Sequence, residues 1–259
     1  MGIEYPILLA FTGSYGTIAQ PTLVAAVSEA GGMGFLDGSG VSPVDLGHLI
    51  HEVRKKTSRP FGVALRLLAK ASEAGTWMIP AFEDTGDNQS DKARSNFLDQ
   101  IDAVIDERVA VLATEFEGPS RIVARARSVG TKVLGLSSDV KNARHQIKAG
   151  VDLIVSQSAE MQIPQVVDSV IPTPVIAVCR TDDGRSIAAA LALGAIGVWI
   201  DGTTLFADLI GRAYYGNAPN RRRAAAMKAQ NPVFEAMADL VNNAVGELTR
   251  LRAGIEVRP

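Results

Sequence analysis

Few residues in this chain have the chemistry for catalysis, and they are scattered. A single thiol, Cys179, and three imidazoles, His48, His51 and His145, are the soft or titratable groups near neutrality. A thiolate nucleophile needs an imidazole or a cation beside it. Arg180 is adjacent to Cys179 in sequence, but consecutive residues of an extended segment point to opposite sides, so Cys179 reads as a small buried hydrophobe. His48 and His51 stand three apart on a helical stretch, and a two-His metal site with Asp45 or Glu52 can be drawn. Without a third set of ligands the pair reads as surface helix residues, as does His145, and no metal is expected. Glu115 and Glu160 are the carboxylates nearest predicted strand ends and the only candidates for a proton-accepting role.

The elements that must position these groups are clearest in Pro174–Phe206. The segment reads as a buried strand (174–178), a polar turn, an Ala/Leu-rich helix (183–193), a Gly, and a second buried strand (195–200). Strand–helix–strand of this length is a right-handed parallel crossover. Parallel strands are covered on both faces, so they appear as unbroken apolar runs, as VIAV and GVWI do here. The turns that follow such strands lie on the ligand-binding face of α/β folds.

The same unit repeats along the chain. A Gly stands between an amphipathic stretch and an apolar run in AGGMGFL, VGTKVLGL, AGVDLIV and LGAIGVWI, where a left-handed residue ends one helix before the next strand. Strands are expected at 5–10, 33–36, 61–65, 109–113, 132–136, 152–157, 174–178 and 195–200. Helices are expected at 22–30, 43–56 (capped by Ser42), 91–106, 119–130, 139–149, 159–170 and 183–193. This order predicts an α/β chain, a (β/α)8 TIM barrel over 1–215, which at 259 residues is of ordinary length for that fold. Between 69 and 90 periodicity fails, and the long connection there, on the binding face, is read either as a lid, which the apolar Trp77-Met78-Ile79 triplet favours, or as a mobile surface loop. Residues 216–259 form a helical extension whose apolar stripe, from Val233 to Leu251, is expected to pack on the barrel or to join a second subunit.

Composition narrows the class further. Net charge is −2 with both signs intermixed, which gives no field for nucleic acid or an anionic membrane. A lone cysteine, no apolar run of spanning length and an N-terminus without a basic leader lead to the expectation of a cytoplasmic protein with a small-molecule ligand.

The stretch PVIAVCRTDDGRSIAAALALGAIGVWIDGTTLF resembles the nitronate monooxygenase family, formerly called 2-nitropropane dioxygenases. YPILLAFTGSYGTIAQPTLVAAVSEAGGMGFL, RPFGVAL and KAGVDLIVSQSAE are similar to its first unit, third strand and sixth strand. The resemblance implies an FMN-dependent barrel oxidoreductase with cofactor contacts at Phe11, Thr12, Ala64, Gln157, Ser158, Cys179, Arg180, Gly202 and Thr203. Several of these depart from the family pattern. Ala64 stands where the family has Asn beside the flavin ring. Ser158 follows Gln157 in place of Gly, and the next loop lacks the His of the nitronate-oxidising members, so no catalytic residue is assigned. Cys179-Arg180 replaces a Gly-Gly pair whose amides meet the FMN phosphate. Two roles stay open for Arg180: its forked donors hold a phosphate in place of those amides, or it pairs with Asp182, Asp183 or Asp201. Gly202-Thr203 is either an anion-binding helix start or a bare cap. Gln157 bonds a flavin ring or a ligand carbonyl, or packs at the barrel top. Two functions follow: an FMN oxidoreductase, or a flavin-barrel relative that has lost FMN and binds another phosphorylated ligand or a partner.

Overall fold

The computed structural model describes residues 2–4, 6–10, 20–66, 88–115, 120–157, 162–179 and 184–201. Strands β1 (Ile7–Ala10), β2 (Met33–Asp37), β3 (Gly62–Leu65), β4 (Val111–Thr114), β5 (Lys132–Ser137), β6 (Leu153–Ser156), β7 (Val175–Cys179) and β8 (Gly197–Asp201) pair in parallel and close on themselves. Helices α1 (Gln20–Glu29), α2 (Pro43–Arg54), α3 (Asn88–Asp106), α4 (Ser120–Ser128), α5 (Val140–Ala149), α6 (Ile163–Val170) and α7 (Gly184–Ala192) alternate with them. The expected (β/α)8 barrel is therefore the fold.

Local sequence accounts for the boundaries. The side chain of Ser42 accepts from the Asp45 amide and Asp139 accepts from the Asn142 amide, so both helices begin where their caps predict. Gly31, Gly130, Gly150 and Gly194 take φ of 93°, 87°, 91° and 99°, the left-handed turn expected after four of the helices. Strand β4 begins two residues later than the sequence pattern suggests, because the Val109 amide still bonds the Val104 carbonyl at the end of α3. Residues 88–90, expected in the long loop, open α3 instead. The proposed lid at 69–87 and the helical extension at 216–259 lie outside the described residues.

The register sorts the barrel interior into layers. From Ala10, in register with Phe35, the next rung begins at Leu36, in register with Val63, and continues through Ala64, Thr114, Leu136, Ser156, Val178 and Ile200 back to Ala10. Alternate strands supply the inward side chains of each such turn, as a closed barrel of this kind requires. That turn contributes Ala10, Ala64, Leu136 and Val178. The turn below it contributes Phe35, Ala113, Val155 and Trp199, all within one buried apolar cluster. The Phe35 and Trp199 rings meet at 4.6 Å between centroids. Gly62, in register with Phe35 on the neighbouring strand, leaves the room this needs: a methyl there would sit 2.2 Å from the Phe35 ring.

Candidate functional site

Above the layer of Ala10, Ala64, Leu136 and Val178 the inward phase turns polar. The next turn carries Asp37 at the end of β2, Glu115 just past β4 and Gln157 just past β6, with Asp201 of β8 in the fourth place by register. Arg66, one turn higher on the exit of β3, completes the group. Gln157 Nε2 donates to Glu115 Oε1 at 2.9 Å, and Arg66 Nε stands 3.8 Å from the same oxygen. The Glu115 side chain is 12% exposed and that of Arg66 33%, so the pair is open to the mouth but shielded from bulk water.

A chain of main-chain bonds fixes this cluster. Gln100 of α3, 2% exposed, donates through Nε2 to the Gly38 carbonyl at 2.8 Å and to the Val41 carbonyl, fastening the β2–α2 turn. In that turn Asp37 Oδ1 accepts from the Ser39 amide, and Ser39 Oγ accepts from the Arg66 amide at 3.0 Å. The Gly38 amide donates to the Ala64 carbonyl, tying the turn to β3. A side chain at Gly38 would push on the tips of Leu65 and Leu46, since a methyl would meet Leu65 Cδ2 at 2.6 Å. On the other side the Gln157 amide donates to the Ser137 carbonyl at 2.8 Å. The backbones of Arg66 and Gln157 are thus set by neighbouring strands and loops.

The expected site residues distribute as follows. Ala64 lies on the inward phase directly under the polar turn, and Gln157 lies in it. Cys179 has the opposite phase: its side chain joins the apolar cluster of Ile187 and Ala190 on α7, with Sγ 3.9 Å from the Ser186 carbonyl. The side chain thus faces the helix shell, as the small buried hydrophobe expected from the sequence. Phe11, Thr12, Ser158, Arg180, Gly202 and Thr203 lie outside the described residues, as does Glu160. Strands β7 and β8 run side by side, with Cys179 in register with Ile200. His48 and His145 are exposed on α2 and α5, and His51 Nε2 meets Glu107 Oε2 at 3.2 Å on the outer surface. Among the described residues no group of His, Cys, Asp and Glu is arranged to hold a metal, and no helix is long and apolar enough to cross a membrane.

Arg66 and Asp37 are members that sequence reasoning missed. The signal was present as alternation: Gly62, Ala64, Arg66 on one strand and Val111, Ala113, Glu115 on the next share a phase, and that phase points inward. At the opposite end of the barrel a cleft of about 260 Å³ is lined mainly by apolar and main-chain groups, including Ile3, Pro6, Leu8 and Ile176. Its one carboxylate, Glu4, is paired with Arg59 at 2.8 Å.

A polar turn crowning an apolar closed barrel stands at the end where the strands exit, the end at which barrels of this kind carry their ligand sites. The model of the family described as nitronate monooxygenase matches residues 1–211. The chain belongs to the nitronate monooxygenase family. A probable nitronate monooxygenase of Staphylococcus aureus is 31% identical over 230 residues, covering 76% of this chain and 64% of that protein. A carboxyl-CoA dehydrogenase of Mycobacterium tuberculosis is also 31% identical, over 211 residues that cover 76% of this chain and 52% of that protein. Among solved structures, FabK from Thermotoga maritima is similar with a TM-score of 0.61 at 29% identity, covering 78% of this chain and 60% of that one. This chain thus spans about half to two-thirds of the length of these relatives. Two relatives of equal identity carry different activities in their names, so family membership leaves the substrate of this chain open.

Proposed function

We propose that this nitronate monooxygenase family member is an FMN-dependent oxidoreductase acting at the mouth of the barrel on a small, acidic carbon compound. The observation that carries the reading is the cluster of Arg66, Glu115 and Gln157 over an apolar floor. A flavin ring has apolar faces and one polar edge. A floor of Ala10, Ala64, Leu136 and Val178, capped on one side by donors and an acceptor, suits such a ring. In this reading Arg180, Gly202 and Thr203, which directly follow β7 and β8 in sequence, hold the phosphate.

When bound, FMN supplies the acceptance of an electron pair that protein side chains lack. The chain's own residues bind and orient. Arg66 presents guanidinium donors at a partly shielded mouth, where they orient an anionic group locally although Glu115 and Asp37 offset the charge. A substrate that arrives already ionised needs no strong base, which accommodates the absence of His from the β6–α6 connection. The layers beneath, closed by the Phe35–Trp199 contact, keep water from entering through the barrel axis.

The other reading, a barrel relative that has lost FMN and holds a different phosphorylated ligand, is favoured by Ala64, which places no amide beside the ring position. An absorption spectrum of freshly purified protein, followed by mass spectrometry of whatever denaturation releases, separates the two. Flavin bands and released FMN are the expected result. A colourless protein that takes up no FMN on titration rejects the oxidoreductase reading in favour of the second.

A further inference from the structure

We infer that Arg66, Glu115 and Gln157 together read the imide edge of the bound ring, the C=O, N–H, C=O sequence that flavin shares with uridine nucleotides. The inference rests on the ligand reading above and says which edge of the ligand faces β3, β4 and β6. Round the barrel the three side chains come in the order donor, acceptor, donor. An arginine only donates, an ionised glutamate only accepts, and a glutamine has two N–H groups to give. An imide edge presents the complementary order, acceptor, donor, acceptor.

The contacts within the cluster leave the required atoms available. Both described contacts of Glu115 fall on Oε1. Its second oxygen is the acceptor for the imide N–H. Arg66 approaches Glu115 through Nε, so among the described residues the two terminal nitrogens of its fork are left for one ring carbonyl. Gln157 Nε2 gives one of its two hydrogens to Glu115, and the second serves the other carbonyl. The backbones of Arg66 and Gln157 are fixed by Ser39 and Ser137. The recognition pattern is therefore built in before the ligand arrives, which lowers the ordering cost of binding. This arrangement also explains how the ring edge is satisfied although Ala64 has no amide: the polar contact has moved one and two layers higher, onto neighbouring strands.

The test compares FMN with 3-methyl-FMN, in which a methyl replaces the imide hydrogen, and with UMP, each by titration against the purified full-length chain stripped of ligand. Wild type is expected to bind FMN about tenfold or more tightly than 3-methyl-FMN, since the methyl analogue loses a hydrogen bond to a charged acceptor and leaves Glu115 facing a methyl. Glu115→Ala is expected to erase that preference, and Glu115→Gln, which keeps the shape and an acceptor oxygen, to retain part of it. Equal binding of FMN and its methyl analogue by wild type overturns the inference while leaving the oxidoreductase reading intact, and needs no variant to fold. If FMN fails to bind but UMP binds in a manner lost in Glu115→Ala, the imide reading stands and the flavin function falls. If neither binds, both fall.

Discussion

The lower and upper turns of the same barrel follow one geometric rule and serve opposite ends. Below, the inward positions of β2, β4, β6 and β8 hold Phe35, Ala113, Val155 and Trp199, all buried and apolar. Two residues further along β2, β4 and β6 the inward positions hold Asp37, Glu115 and Gln157. Nothing in the backbone changes between them. The comparison teaches that the fold's stability is made by filling inward positions, while the last of them, where the strands meet water, are left polar and are the positions proposed for recognition. Buried area drives folding in the lower turns, whereas in the upper turn desolvating Arg66 and Glu115 would gain little and their value lies in what they bind.

If this division holds, the heaviest stability loss comes from below. Phe35→Ala removes a fully buried ring that touches Trp199 and fills the space beside Gly62. A cost of about 3–5 kcal/mol is expected in urea denaturation. The folded fraction should keep wild-type ligand affinity, and a large loss of affinity in that fraction would erase the distinction between layers. The linkage between the regions is sharpened by Gln100→Leu. That change leaves the Gly38 and Val41 carbonyls without their donor, a smaller loss of about 1–3 kcal/mol. Because Gly38 and Ser39 set the Arg66 backbone, ligand affinity should fall as well. Unchanged affinity would mean that the β2–α2 turn holds its shape unaided.

The barrel was legible because its signals are local and repeated. Ser42 and Asp139 cap helices, a Gly ends each of four of them, and VIAV-type runs can only be strands covered on both faces. The site was legible in part. Gln157 matches the family pattern and Ala64 departs from it at a position the pattern marks, and both lie on the inward phase at the mouth. Arg66 and Asp37 carry no motif, because what recruits them is register across strands distant in sequence, such as Ala64 beside Ala113. Cys179 was open to misreading for a related reason. Its place at a strand end suggests the mouth, but its phase, opposite to that of Val178, turns it toward α7. Strand-end position alone does not tell mouth from shell; parity does.

The smallest expected effect probes the same parity from the outside. Thr114 and Ser156 stand at the ends of β4 and β6 on the outward phase, each fully buried. Neither hydroxyl oxygen has a hydrogen-bond partner among the described residues, whereas Ser137, between them on β5, donates to the Asp139 carbonyl at 2.8 Å. A buried hydroxyl without a partner has lost water and gained nothing in return, so exchanging it for a methyl of similar volume relieves a penalty. Thr114→Val is therefore expected to leave stability unchanged or raise it by up to about 1 kcal/mol, with FMN titration unaltered. The inward neighbour Glu115 responds in the opposite sense, losing ligand discrimination with little change in stability. If Thr114→Val instead destabilises the protein or weakens binding, polarity at the outward strand ends is also in use. The site would then extend through the barrel wall toward the helices, and parity would cease to separate scaffold from mouth.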